Sequence, residues 1–387
     1  MLSRIKQFKP FPGVLNANAA VYFSFFSVEL AGIVCRFGRQ FIGSKELSPQ
    51  QNKALYNIVQ CRTSAMGGHQ EECDGCGTIR YSYNSCGDRH CPKCQGAARK
   101  KWVTKRIEDI LPVAHYHVVF TLPHLLHDVI CYNRRLIYNL LFESSAATLL
   151  TFGRDPKWLG GEIGFYGVLH TWGQTLWQHP HVHYIVPGGG LSKDGRWVET
   201  PYRGKFLFPV NALSKVFRGK FIEGLKKAYD KGNLTLPKAC DDLKFDRFLD
   251  SVVARNWVVY CKPPFGDAEE VVSYIGRYTH RVAISNHRIE ELGHDTVRFR
   301  YKDYRRQHAG WREMTLFPQE FIRRFLWHVL PCRFHKIRHY GFLANGRCKS
   351  KVATIRELLK DREMPVSRAA DDDIGILCPE CGKGKVR

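Results

Sequence analysis

Acidic side chains are the first shortage. Thirty-six Asp plus Glu face fifty-nine Lys plus Arg, a formal net charge of +23. A globular composition carrying that excess is drawn to polyphosphate in a salt-dependent way, which favours nucleic acid over a ribosomal, membrane-surface or merely basic role. Long apolar runs are missing too. The best candidate, residues 20–38, follows a basic N-terminus and imitates a signal peptide, yet Glu29 interrupts it. It is also too short and polar to span a bilayer, so it reads as a buried helix and no membrane partner is expected. No internal repeat is present. With 387 residues, the chain can bury one large core domain with smaller modules attached.

Cysteine, by contrast, is plentiful. The pairs Cys73/Cys76, Cys91/Cys94 and Cys378/Cys381 all have the C-x2-C spacing of metal hairpins rather than a disulfide framework. Such thiols need a reducing compartment, hence an expected cytoplasmic location. Two hairpins complete a tetrahedral site, so Cys73, Cys76, Cys91 and Cys94 are the first candidates for structural Zn2+. Cys61, His69, Cys86 and His90 form a pool for a second ion, and the sequence does not say how the ligands divide. Arg80, Arg89, Lys93 and the run from Arg99 surround this module, with Arg89 and Lys93 singled out as DNA contacts. Cys378 and Cys381 supply only two ligands. They need partners from elsewhere or form an unfilled half-site.

Local patterns organise the rest. Ser48-Pro49-Gln50-Gln51 is a helix start with a capping box. A basic helix from Lys100 leads into a strand at 115–123, and a helical stretch follows over 124–150. Strands are expected at 163–171, 181–186 and 256–260, and a helix at 267–278. The segment 211–247 is basic and helix-forming, read as an insertion on the core near 205–250. Residues 297–306 alternate apolar or aromatic with basic, as either a DNA-facing strand or a charge-protected edge strand would. Asp371–Asp373 reads as a solvated linker. The expected domains are a helical 1–60, a zinc module 61–98, a catalytic 99–290 and a basic 291–387.

Two constellations carry the chemistry. On a strand, His181 and His183 share a face and can chelate one ion. A lone H-x-H of this kind is as often packing as ligation. His170, eleven residues before His181, ends the preceding strand, and a loop of about eight to ten residues would bring it alongside. His179 and Gln174 rival it as third ligand. Three neutral ligands leave positions open for a metal to act on phosphate as a Lewis acid, imidazole suiting Mn, Co, Ni or Zn while cellular supply favours Mg2+ or Mn2+. The second constellation is Tyr274 and Tyr278, one helical turn apart. Tyr pairs at this spacing are usually packing. Here Gly276 stands between them, a poor helix residue unless something approaches closely, and Arg277, His280 and Arg281 add charge suited to a phosphoryl centre. A phenolate could attack a phosphodiester and hold the DNA as a covalent 5′-phosphotyrosine.

In order, Cys86…His90-Cys91-Pro92-Lys93-Cys94, Phe120-Thr121-Leu122-Pro123, His179-Pro180-His181-Val182-His183 and Tyr274-x3-Tyr278 resemble the two-tyrosine HUH transposases of the insertion-sequence 91 type, over roughly residues 20–345. The resemblance implies an α+β fold, an HUH endonuclease palm whose central antiparallel sheet is flanked by helices, plus a small N-terminal zinc-binding module. It implies rolling-circle transposition through single-stranded DNA, with element ends and target as partners. It assigns metal ligation to His181 and His183 and nucleophilic attack to Tyr274 and Tyr278; His170 rests on spacing. A replication initiator or relaxase would share the chemistry, and a zinc-stabilised DNA-binding protein would lack it.

Overall fold

The computed structural model describes residues 28–43, 46–202, 205–237, 242–262, 270, 276, 283–303, 310–362 and 378–383. In chain order the elements are α1 (Leu30–Gly43), α2 (Pro49–Gln60), β1 (Gly68–Glu72), β2 (Ile79–Tyr83), α3 (Gln95–Ile107), β3 (His115–Thr121), α4 (His127–Arg154), β4 (Gly164–Trp172) and β5 (Gln178–Pro187). Then come β6 (Gly189–Leu191), β7 (Trp197–Glu199), α5 (Val210–Asp230), α6 (Asp242–Val253), β8 (Val259–Lys262), β9 (Ile289–Leu292), β10 (Val297–Asp303), β11 (Gly310–Leu316), α7 (Pro318–Trp327), β12 (Ile337–Gly341) and α8 (Cys348–Leu358). The contacts divide the chain into two units, Met1–Ala98 with Ile284–Val329 and Ser367–Arg387, and Arg99–Ala283 with Leu330–Val366. The C-terminal region expected as one domain is thus shared between both.

The first unit is built on short helices and hairpins. Ser48 caps α2 through the Gln51 N–H, and the Gln51 side chain returns to the Ser48 N–H, the reciprocal capping box that its sequence promises. Leu30, Ile33, Val34, Phe37 and Phe41 of α1 are buried, so residues 30–38 do form part of a buried helix, while Val28 and Glu29 precede it; residues 20–27 lie outside the described ones. In the three-stranded sheet β11-β10-β9 the middle strand is β10, so it is not an edge. Its outward charges protect no exposed edge. Instead Arg298 is paired with both Glu291 and Glu313.

The second unit centres on a five-stranded antiparallel sheet in the order β12-β4-β5-β3-β8. Tyr116, Val118 and Phe120 of β3 and Val182, Tyr184 and Val186 of β5 point to one face, where they pack on α4, α5 and α6. Gly167 faces Tyr184 across the β4–β5 ladder, and a Cβ there would collide with the Tyr184 ring. The opposite face carries Tyr166, Val168 and Ile185 under Trp102, Val103 and Ile107 of α3 and Val352 and Ile355 of α8. The segment expected as a basic insertion is corrected here. Leu213, Phe217, Phe221 and Leu225 of α5 are fully buried, making α5 a core helix of the sheet. The intervening Lys and Arg hide this in a reading by charge, while the i, i+4 and i+8 spacing of the apolar residues states it. Among the described residues no helix is long and apolar enough to cross a membrane.

Candidate functional site

The sheet face under α3 also holds the histidines. Antiparallel register sets His170 of β4 directly opposite His181 of β5, with Val168 opposite His183. Parity puts all three imidazoles on one side, and their ring nitrogens fall within 4.8 Å of one another. The connecting turn is tighter than the sequence suggested, closed by the Gly173 N–H donating to the Trp177 carbonyl at 2.9 Å. Pro180 does not break β5, because its carbonyl still accepts from the Leu122 N–H at 3.0 Å. His179 shares the face of His181, with ring centroids 4.9 Å apart, and stacks on His124 at 5.6 Å, but it is not among the three clustered ligands.

The electrostatics favour neutral, ligand-ready rings. Burial pushes His181 down to about 3, the neighbouring His179 adding to it. His183 is held well below the usual range by burial and by His170 and His181. The His181 Nδ1–H donates to the His179 carbonyl, which leaves the Nε2 lone pair free. A residue that the sequence reading missed, His117, completes the arrangement: its Nε2 is 2.8 Å from His183 Nδ1. With the His183 Nδ1–H donated to His117, His183 too would present Nε2 to an ion. The signal was available in His115-Tyr116-His117, since position 117 has the parity of 183 in the paired strand.

Tyr274, Tyr278, Arg277, His280 and Arg281 lie outside the described residues. Gly276, between them in sequence, is described, and it meets α3 at Val103 and Trp102. A Cβ at 276 would collide with the Val103 side chain. This gives the glycine a steric reason, on the helix that covers the histidine-bearing face.

The thiols group differently from the expected pairing. Cys61, Cys86, Cys91 and Cys94 form one cluster, while Cys73 and Cys76 join Cys378 and Cys381 in another. The correction has a local cause. Cys73 and Cys76 sit in the turn at the tip of the hairpin β1–β2, at the end away from the loop bearing Cys86, Cys91 and Cys94, whereas Cys61 at the end of α2 reaches that loop. In the first cluster Cys94 Sγ is 3.3 Å from Cys61 Sγ and 3.4 Å from Cys86 Sγ. Burial pushes the Cys86 thiol up to about 12, with Cys94 and Cys61 adding to it. Four such sulfurs can ionise together only against a cation, the chemistry of a thiolate zinc site.

His69 and His90 stand outside both clusters. His69 Nε2 is 3.1 Å from a Glu71 carboxylate oxygen. His90 is buried with Nδ1 2.9 Å from Asp88 Oδ1. Burial works against the Asp88 charge, but bonds from the His90 ring and N–H and from Asn57 hold its carboxyl down to about 2. Of the expected DNA contacts in this module, Lys93 is compensated by Glu29 at 2.6 Å, and Arg89 is half-buried.

Comparison with known proteins agrees with both halves. Residues 33–122 match the family model described as "Transposase zinc-binding domain", and residues 164–351 match the one described as "Putative transposase". Cys378 and Cys381 fall outside both ranges. The chain is similar to "Putative transposase y4qJ" of Sinorhizobium fredii, 48% identical over 337 residues covering 86% of this chain and 84% of that protein. It is 29% identical over 315 residues to the transposase for insertion sequence element IS801 of Pseudomonas savastanoi pv. phaseolicola, covering 80% of this chain and 74% of that one. Among solved structures, the conjugative relaxase TrwC in complex with oriT DNA overlays with a TM-score of 0.23 at 10% identity, covering 42% of this chain and 71% of that one. A likeness so slight says nothing about the site.

Proposed function

We propose that this chain, which belongs to the insertion-sequence 91 type of transposases with an N-terminal zinc-binding domain, moves DNA by cutting and rejoining single strands through a 5′-phosphotyrosine. The observation that carries the reading is the trio His170, His181 and His183, three imidazoles gathered on one sheet face with His181 and His183 held neutral by burial. In this reading they hold one Mg2+ or Mn2+, which when bound polarises a non-bridging oxygen of the scissile phosphate. His181 and His183 are the principal ligands and His170 the third.

Tyr274 and Tyr278 are the nucleophiles. The phenol oxygen of one bonds to phosphorus as the bond to the 3′ oxygen breaks, and the phenol's proton ends on the departing 3′-hydroxyl. The ester keeps the bond energy, so a 3′-hydroxyl on the same or another strand can reverse the step and join. A second tyrosine allows a second cut before the first ester is resolved. In this reading Arg277, His280 and Arg281 supply the positive charge that steadies the phosphoryl centre, and the approach of Gly276 to Val103 of α3 supports a nucleophile segment held close to the histidine face. The zinc module binds structural Zn2+ through Cys61, Cys86, Cys91 and Cys94 and helps to hold DNA. The substrate is an insertion element's single-stranded ends and target, met on DNA in the bacterial cytoplasm.

The test is strand cleavage and transfer on oligonucleotides from the element's ends with Mn2+ or Mg2+. Tyr274→Phe with Tyr278→Phe is expected to bind DNA and zinc as the wild type does while losing cleavage by at least a hundredfold, about 2.7 kcal/mol of barrier. Full cleavage by the double variant would sink the tyrosine assignment.

A further inference from the structure

The cluster that joins Cys73 and Cys76 to Cys378 and Cys381, the latter two beyond both matched ranges, has the marks of a built site. Cys73-Asp74-Gly75-Cys76-Gly77 and Cys378-Pro379-Glu380-Cys381-Gly382 share the pattern C-x2-C-Gly, although they stand at opposite ends of the chain. They also share a backbone. The Gly77 N–H donates to the Cys73 carbonyl at 2.9 Å and the Gly382 N–H to the Cys378 carbonyl at 2.8 Å. Both glycines are left-handed, with φ of +67° and +65°. A Cβ at either would meet nothing within 4 Å, so glycine is needed for the turn and not for space. Cys91-Pro92-Lys93-Cys94 runs straight into α3 and has no such glycine. Two matched knuckles meeting sulfur to sulfur are a ligand geometry, not a packing accident.

The distances agree. Cys73 Sγ is 3.7 Å from Cys381 Sγ, and Cys76 Sγ is 3.8 Å from Cys378 Sγ. A tetrahedral zinc with Zn–S bonds of about 2.3 Å sets its sulfurs about 3.8 Å apart, whereas a disulfide needs about 2.05 Å. The Gly75 N–H donates to the Cys73 sulfur at 3.4 Å, and the Thr78 hydroxyl lies 3.1 Å from the Cys76 sulfur, where it can donate to a thiolate. We infer that Cys73, Cys76, Cys378 and Cys381 bind a second structural Zn2+, which clasps the C-terminal knuckle onto the N-terminal zinc module. Formation of the site displaces four thiol protons for one zinc ion, with no change of oxidation state. With Cys76 exposed and Cys381 partly so, against buried Cys61 and Cys91 in the other cluster, the clasp is the site that surrenders its zinc first.

Native mass spectrometry of the full-length protein should count two zinc ions per chain, and Cys378→Ser with Cys381→Ser should count one. A wild type with one, or a double variant that keeps two, overturns the proposal. Should the double variant not fold, maleimide labelling of the zinc-loaded wild type decides. Exposed Cys131 and Cys332 should react at once, and Cys73, Cys76, Cys378 and Cys381 should become reactive together on adding chelator, ahead of Cys61 and Cys91. Labelling of Cys378 and Cys381 at the pace of Cys131 without chelator refutes the clasp. None of these readings depends on DNA cleavage, so the clasp and the tyrosine chemistry fail separately.

Discussion

His117 is the residue whose role follows most directly from a single distance. At 2.8 Å its Nε2 engages His183 Nδ1, and the two rings stack with planes 10° apart. Burial, and Lys262 nearby, push His117 down to about 4, so at neutral pH it serves as a neutral acceptor. It fixes which nitrogen of His183 carries the proton without itself belonging to the cluster. Partners of this kind are typically worth about ten- to a hundredfold in metal affinity. His117→Phe is therefore expected to weaken Mn2+ binding by that factor in calorimetry and to shift the tautomer populations of His183 in nitrogen NMR, with His117→Gln recovering part of both. Unchanged affinity and tautomers in His117→Phe would show the contact to be packing alone.

Among elements, α4 shows how one side chain can organise two segments. Asn133 leaves helical geometry at φ −126° and ψ 33°, kinking the helix. Its amide nitrogen donates to the Val129 and Thr235 carbonyls at 2.8 and 2.7 Å, and its oxygen accepts from the Thr235 N–H at 2.8 Å. Asn133→Ala strands these backbone groups at a 7% exposed position and should cost roughly 2–4 kcal/mol. An unfolding free energy from urea titration within about 0.5 kcal/mol of wild type would contradict the account. No sequence pattern announces Asn133, because its partner Thr235 is about a hundred positions away. Local signals fared better. The Ser48 cap was legible because its bonds span three residues, and His170, His181 and His183 could be set together because a hairpin fixes its own register. The cysteine partition was closed to such reasoning. C-x2-C defines a knuckle but not its mate, and Cys73 and Cys381 meet only through the tertiary fold. The burial of α5 was legible in its Phe217 and Phe221 spacing but masked by the charge between them.

For the molecule as a whole, the net charge of +23 governs encounter with DNA. Some of that charge is internally compensated, as at Lys93 and Arg298, so the slope of affinity against salt counts the cations that actually reach phosphate. About five single-strand contacts would lose roughly a hundredfold in affinity between 50 and 200 mM salt; affinity indifferent to salt over that range would remove the electrostatic part of the account. Binding alone cannot separate a transposase from a protein that only grips DNA. The direct measurement is to incubate the protein with single-stranded element ends and Mn2+, denature it, and map any covalent adduct by peptide sequencing. The account predicts an adduct on Tyr274 or Tyr278 that chelator and His181→Ala both abolish. Tight binding to authentic ends with no adduct, or an adduct on another residue, would contradict it.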